Sequence, residues 1–266
     1  MTFYYALIVF SLALTISIIS YKMKLLTIGG SIVQFLLAII TLGLGKMKWA
    51  LPIIIFFFLS SFLTKLRERK NTSVNLYFEK SGQRDSFQVL ANGGIGGFLV
   101  MLFQIVHSEL LYFVYVSSIA AVCADTWATE FGTMWKTKTI NILNLKMEEQ
   151  GVSGAISLNG FIGSFLGAFV IALSSLSWIY SNKITILLII IISGLIGSLV
   201  DSILGASIQA QYNCAVCGKI TEKKIHCMKI AARINGIPWI NNDVVNFAAS
   251  IVGGFFFYLI SIFLKV

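Results

Sequence analysis

Asp125, Asp201 and Asp243 are the acidic residues whose surroundings make them chemically conspicuous. The first two lie in or at the end of apolar runs, and the third opens another. An ionised carboxylate is expensive in hydrocarbon, so a functional role is its default explanation there. The plainer alternative for Asp125 and Asp201 is a carboxylate satisfied by neighbouring hydroxyls or a lysine. For Asp243 it is a helix N-cap. Helical spacing puts Asp125 on one face with Ala128, Thr129 and Gly132, and Asp201 with Gly194, Gly197, Ser198, Gly205 and Gln209. Small and polar faces of this kind pack against protein rather than lipid. Asp243 shares a face with Asn246, Asn242 is adjacent, and Glu130 adds a carboxylate one turn beyond Asp125. Three aspartates from three helices at one level suit Mg²⁺, a hard ion that takes carboxylates, waters and substrate phosphates. Asp125, Asp201, Asp243 and Glu130 are therefore the predicted catalytic acids. The first three are the predicted Mg²⁺ ligands, and Thr126, Ser202, Gln209, Asn242 and Asn246 are their predicted substrate-binding neighbours.

Two glycine-rich segments, Asn92-Gly-Gly-Ile-Gly-Gly97 and Gly151-Val-Ser-Gly154 followed by Ser157 and Asn159, are expected to lead into helix N-termini. Such ends present backbone N–H groups and a positive dipole to an anion. Asn92, Gly93, Gly94, Ser153 and Asn159 are accordingly expected to contact phosphate. Neither segment fits a Walker or dinucleotide pattern, and the competing explanation is close helix packing, which Gly163 and Gly167 also suit. A separate cluster, Cys214-x-x-Cys217-Gly with His226-Cys227, offers a Cys₃His set for structural Zn²⁺. Adjacent His226 and Cys227 would strain in sharing one ion. Cys123 is expected to be a buried small hydrophobe.

The elements that must position these residues are membrane helices. The 266 residues are 57% hydrophobic and only 12% charged, where a soluble domain is about one quarter charged. Apolar runs of roughly 20 residues recur, the length that crosses the hydrocarbon layer. An all-α, polytopic protein with about eight spans is predicted: 3–20, 25–44, 49–64, 87–106, 110–128, 155–180, 184–209 and 244–264. The whole of 1–266 is expected to be one membrane domain, with a catalytic half at 87–250 and a zinc-knuckle-like loop at 212–229. The first run has no basic residue before it, so it is expected to be retained rather than cleaved as a signal peptide. With the N-terminus outside, 16 of the 20 Lys and Arg fall on the inner side, which predicts N-out, C-out. That sorting assigns the net charge of +9 to topology and not to nucleic acid. Lys136, Lys138, Lys146, Lys219, Lys223, Lys224 and Arg233 are expected to flank the site. The active face is thus predicted to be cytoplasmic, in a cell membrane. Asn92–Leu99 and Asn159–Leu166 agree at six of eight positions, and each precedes a helix carrying Asp125-Thr or Asp201-Ser. That layout suggests a duplicated helix hairpin.

Together the segments Ala124-Asp-Thr-Trp-Ala-Thr-Glu-Phe-Gly132, Gly151-Val-Ser-Gly-Ala-Ile-Ser157, Gly197-Ser-Leu-Val-Asp-Ser-Ile-Leu-Gly-Ala206 and Asn242-Asp-Val-Val-Asn246 resemble the DUF92 or TMEM19-like membrane family. That family includes the plant phytyl-phosphate kinase. In place of its usual Thr-Asn-Gly-Gly-Val-Ser segment, this chain reads Glu149-Gln-Gly-Val-Ser-Gly. The resemblance implies transfer of a phosphoryl group from a nucleoside triphosphate, CTP or ATP, to an isoprenyl monophosphate. Such a reaction needs charge neutralisation and positioning more than a strong base. A lipid-phosphate cytidylyltransferase would use the same site and release pyrophosphate. A transporter would instead place its aspartates near the bilayer midplane.

Overall fold

A computed structural model describes residues 3–80 and 82–264. Eight α-helices run through it: α1 (Phe3–Lys22), α2 (Ile28–Ala38), α3 (Gly45–Lys70), α4 (Ser86–Val106), α5 (Glu109–Met134), α6 (Leu158–Ser174), α7 (Lys183–Ser207) and α8 (Asn242–Leu264). Six helical stretches are long and apolar enough to cross a membrane, and one of these is the 43-residue stretch Ile28–Lys70. That stretch passes through a π-helical turn at Ile39–Leu44 and bends at Lys46, whose φ is +58°. It folds back on itself. Lys65 Nζ at one end donates to the Met23 carbonyl beside the other (2.9 Å). At the bend, the Tyr5 hydroxyl donates to the Leu42 carbonyl (2.7 Å), and Lys48 pairs with Glu109. The bundle thus has two ends, one at the bend and one where Met23, Lys65 and Arg84 meet.

α5 is the hub. Its middle, Tyr115 to Ala124, is buried without a break, and three helices pack on it through small residues. A side chain at Gly167 of α6 would lie 2.7 Å from the Cys123 carbonyl, and one at Gly253 of α8 would lie 3.0 Å from that of Ser117. Gly194 of α7 approaches Ala120 in the same way. Without a hydrophobic drive between helices in lipid, such close backbone contact is what dispersion attraction needs. Trp49, Tyr112 and Tyr115 close the end of this core nearest the bend. The outward faces carry Phe62, Ile105, Phe161 and Ile184, each well exposed, as befits a lipid-facing surface.

The fold departs from a purely helical expectation at the other end. Loops there form short antiparallel strands: β1 (Ile140–Asn141) with β2 (Ala155–Ile156), then β3 (Gln211–Asn213) between β4 (Ile220–Thr221) and β7 (Ala232–Asn235), and β5 (Ile225–His226) with β6 (Lys229–Ile230). Helix bounds shift too. α6 is shorter than the predicted 155–180, because Ser157 caps it by accepting from Gly160 N (3.1 Å) and it gives way to a 3₁₀ turn after Ser175. α5 runs beyond the predicted 128 to Met134.

The glycine run Asn92–Gly97 does not open a helix. α4 starts six residues earlier at Ser86, where Asp85 and Gln88 form a reciprocal capping box. The amides of the run are inside the helix, committed to its own carbonyls, and cannot cradle an anion. Its glycines serve packing instead: a side chain at Gly93 would meet Leu37 and Ile53.

Candidate active site

A cavity of about 430 Å³ opens among α3, α4, α5, α6, α7 and α8 at the strand-bearing end. Asp125 comes from α5 and Asp201 from α7, brought together because both helices approach closely along their small-residue faces. Asn246 of α8 joins them. Its carboxamide nitrogen donates to Asp201 Oδ2 (2.9 Å) and Asp125 Oδ2 (3.3 Å), while its oxygen accepts from Asn242 Nδ2 (3.1 Å). Among the described residues, neither aspartate has a salt-bridge partner. Asp201 is buried and Asp125 partly open to the cavity, and two adjacent carboxylates with one neutral donor and no basic partner are a donor set that suits a cation.

Depth separates this pair from the bundle's middle. Nine residues remain after Asp125 before α5 ends at Met134, and six after Asp201 before α7 ends at Ser207. At 1.5 Å per residue these are roughly 14 and 9 Å. Asp125 is about 24 Å from the opposite end of α5 on the same scale.

Other charged groups on the cavity wall are neutralised from within the chain. Glu130 accepts from Arg67 Nε (3.0 Å) and from Thr64 Oγ1 (2.6 Å), a dry ion pair in which both side chains are almost fully buried. Arg67 also donates to Asn75. Lys80 pairs with Asp243 and with Asp85 (2.8 Å), bridging the loop after α3 to the starts of α8 and α4. Glu222 enters from the polar loop after β4. Its Oε1 accepts from Ser153 Oγ (2.7 Å) and Gln209 Nε2 (2.8 Å), and its Oε2 from the Glu79 amide (3.0 Å). Burial pushes this carboxyl above the usual range, working against the hydrogen bonds that favour its charged form.

A sequence profile for the family described as integral membrane protein DUF92 matches residues 11–254. The chain belongs to this DUF92 family. It is 29% identical to Protein PGR of Arabidopsis thaliana over 92% of each chain. It is 30% identical to the membrane protein MJ0933 of Methanocaldococcus jannaschii, over 85% of this chain and 80% of that one. It is 24% identical to the chloroplastic protein VTE6 of Arabidopsis thaliana, over 83% of this chain and 61% of that one. No solved structure matches.

In this DUF92 chain the cavity wall includes Asp125, Asp201, Asp243, Glu130, Asn92, Thr126, Ser153, Ser202, Gln209, Asn242 and Asn246. Gly93, Gly94 and Asn159 are outside that wall. Gly93 faces α2 and α3, and Asn159 sits at the start of α6. Asp243 lies near the pair and turns its Oδ2 to Lys80, while its Oδ1 is buried without a hydrogen-bond partner. Nor is it the cap of α8, since Asn241 Oδ1 accepts from the Val244 amide (3.2 Å). Glu222 joins Asp125 and Asp201 on the cavity wall. Glu130 is held by Arg67 rather than left free.

The flanking cations differ from those expected. Lys136, Lys138, Lys146, Lys219, Lys223, Lys224 and Arg233 are absent from the wall, whereas Arg67, Lys80 and Arg84 are on it. The loop after α3 folds back over the site, carrying Lys80 with it, while Lys219 turns away onto the Tyr77 ring (5.2 Å). Nothing in the local sequence separates Lys80 or Glu222 from their solvated neighbours. The capping box at Asp85 and Gln88 fixes the start of α4 within one residue of the predicted 87, ahead of the glycine run.

The Cys₃His cluster is separate from the wall. One ligand atom from each of Cys214, Cys217, His226 and Cys227 lies within 4.8 Å of the others.

Proposed function

We propose that this protein is a Mg²⁺-dependent phosphotransferase that converts an isoprenyl monophosphate to its diphosphate with a nucleoside triphosphate. The observation that carries the reading is the unpaired Asp125–Asp201 couple, bridged by Asn246 at the floor of the cavity. The donor set fits a hard divalent ion: two carboxylates and a nearby carboxamide, with hydroxyls of Thr126 and Ser202 and room for water and phosphate oxygens. When bound, Mg²⁺ would offset phosphate charge, the main requirement of this chemistry. Arg84 is the wall cation with no carboxylate partner among the described residues, while Arg67 and Lys80 are already paired. Glu130 holds the Arg67 guanidinium in place, Asn242 has an amide hydrogen to offer a phosphate oxygen, and Ser153 and Gln209 hold Glu222 at the wall.

The cavity also has an apolar side. Phe161 of α6 and Ile192, Leu195, Ile196 and Leu199 of α7 line it, and Phe161, Ile192 and Leu199 are exposed on the outer surface as well. A prenyl tail would lie along these residues in lipid with its phosphate turned to the polar floor. There the acceptor oxygen attacks the γ-phosphorus, the bond to the β,γ-bridging oxygen breaks, and the nucleoside diphosphate leaves with that electron pair. The acceptor is already anionic, so no strong base is required. Family membership supports the same reading, since the family includes the plant phytyl-phosphate kinase. The lysine and arginine bias supports eight membrane crossings with both termini outside, and the site at the cytoplasmic face of a cell membrane.

The offset of Asp125 and Asp201 toward the strand-bearing ends of their helices favours enzyme over transporter, whose ion sites cluster near the midplane. The test is protein in lipid with Mg²⁺, CTP or ATP labelled at the γ-phosphorus, and farnesyl, geranylgeranyl or phytyl monophosphate. Label in a prenyl diphosphate, dependent on Asp125 and Asp201, is expected. Pyrophosphate release with transfer of the nucleotide would indicate the cytidylyltransferase instead. No product with any acceptor would overturn the phosphotransferase.

A further inference from the structure

We infer that Cys214, Cys217, His226 and Cys227 bind one Zn²⁺ in a tetrahedral site, and that this site holds the loop that delivers Glu222 to the cavity. The distances fit the ion. Zinc bonds of about 2.3 Å to sulfur and 2.0–2.1 Å to nitrogen at tetrahedral angles put S and N about 3.6 Å apart. His226 Nδ1 lies 3.5 Å from Cys217 Sγ and 3.3 Å from Cys227 Sγ. All four ligand atoms fall within 4.8 Å of one another.

The backbone is shaped to aim them. Gly218, at φ +71°, closes a turn in which its amide donates to the Cys214 carbonyl (2.8 Å) and the Cys214 amide to the Lys219 carbonyl (3.0 Å). That turn brings Cys214 and Cys217 to one side. Cys227 and Met228 both take left-handed conformations, at φ +49° and +60°. Two such residues in succession are costly without glycine, yet here they turn adjacent His226 and Cys227 side chains toward one point. The strain anticipated for sharing an ion is taken up in the backbone. Soft thiolates with one imidazole in this geometry select zinc over the harder ions.

The loop also needs a staple. Its strands are two to four residues long, and its buried apolar cluster consists of Ala210, Tyr212 and Ala231. A core that small cannot order a polar loop of this length. Glu222 stands between the two ligand pairs, five residues after Cys217 and four before His226. It is the residue by which the loop reaches Ser153, Gln209 and the Glu79 amide. Zinc would fix both ends of that segment and so determine where the Glu222 carboxylate sits. It is thus a positioning device for the cavity, and it does not depend on which reaction the cavity performs.

The test uses the full chain purified in lipid under reducing conditions. Metal analysis is expected to give one zinc per chain, and Co²⁺ in its place should show the intense visible bands of tetrahedral thiolate ligation. The double substitution Cys217→Ser/Cys227→Ser should lose the metal, Cys227→His should retain it, and Glu222→Gln should leave it unchanged. Wild-type chain that holds neither zinc nor cobalt, with its thiols free or joined as a disulfide, would overturn the site. For the positioning role, zinc is removed from the wild-type chain by a chelator and amide exchange is followed. Exchange in 150–156 and 219–224 should rise by at least about tenfold while α5 and α7 stay protected. Unchanged exchange in 150–156 after zinc loss would overturn that role even if the metal site stands.

Discussion

Asp125 and Glu130 lie five residues apart on one helix and face one cavity, yet the chain treats them oppositely. Glu130 receives Arg67 and Thr64, so its charge is cancelled by the protein itself. Asp125 receives another carboxylate, Asp201, and a neutral amide from Asn246. Glu130 is buried, and Asp125 is mostly withdrawn from solvent at the cavity wall. A lone charge there would cost several kcal/mol, so the difference concerns where the compensating cation comes from. The Glu130 region is finished when the protein folds. The Asp125 region has no such partner among the described residues, and on the proposed reading its counter-charge is a bound Mg²⁺.

The largest effect expected from that contrast is on turnover. Asp125→Asn or Asp201→Asn should lower phosphoryl transfer by on the order of 10³-fold or more, while the folded fraction stays near wild type or rises, because a like-charge pair is relieved. Rate assays paired with thermal unfolding would check this, and a stability loss as large as the rate loss would erase the distinction. The converse holds at the other region. Arg67→Met should destabilise by about 3–5 kcal/mol by stranding Glu130, and Arg67→Met/Glu130→Gln should recover much of it. A double-mutant cycle in unfolding free energy measures the coupling, and additive losses would show that the two do not act as a pair.

A smaller effect is expected at Glu222, which steadies the unpaired region without completing it. Glu222→Gln should weaken Mg²⁺ dependence by about 10–100-fold, as outer-sphere substitutions do, read as the metal concentration for half-maximal rate. The smallest belongs to Asp243. Its partner Lys80 is partly exposed and is shared with Asp85, so Asp243→Asn should cost about 1 kcal/mol or less in stability. Its effect on the rate should be well below that at Asp125. Equal losses at Asp243 and Asp125 would indicate three equivalent aspartates.

Much of this was legible from residue order alone. Hydropathy marks the helices, because a lipid-spanning segment has no alternative to a long apolar run. Asp125 and Asp201 stand out for the same reason, as costly residues in the wrong solvent. Asn92–Gly97 admits two readings, because glycine-rich segments suit both an anion-binding turn and a packed helix, and the structure takes the packed helix. Only the cap at Asp85 distinguishes them. Glu222 and Lys80 carried no signal at all, since each sits in a polar loop among other charges and is set apart by contacts 69 and 163 positions away in the chain.

Sequence by itself determined the membrane class, the helices and the acidic and polar residue types that stand out within them, since these follow from transfer energies and covalent spacing. Tertiary structure decided which acids share a site. Ion pairing depends on distances of a few ångströms between helices, and helix packing decides those distances. Arg67 therefore meets Glu130, Lys80 meets Asp243, and Asp125 and Asp201 are left to each other.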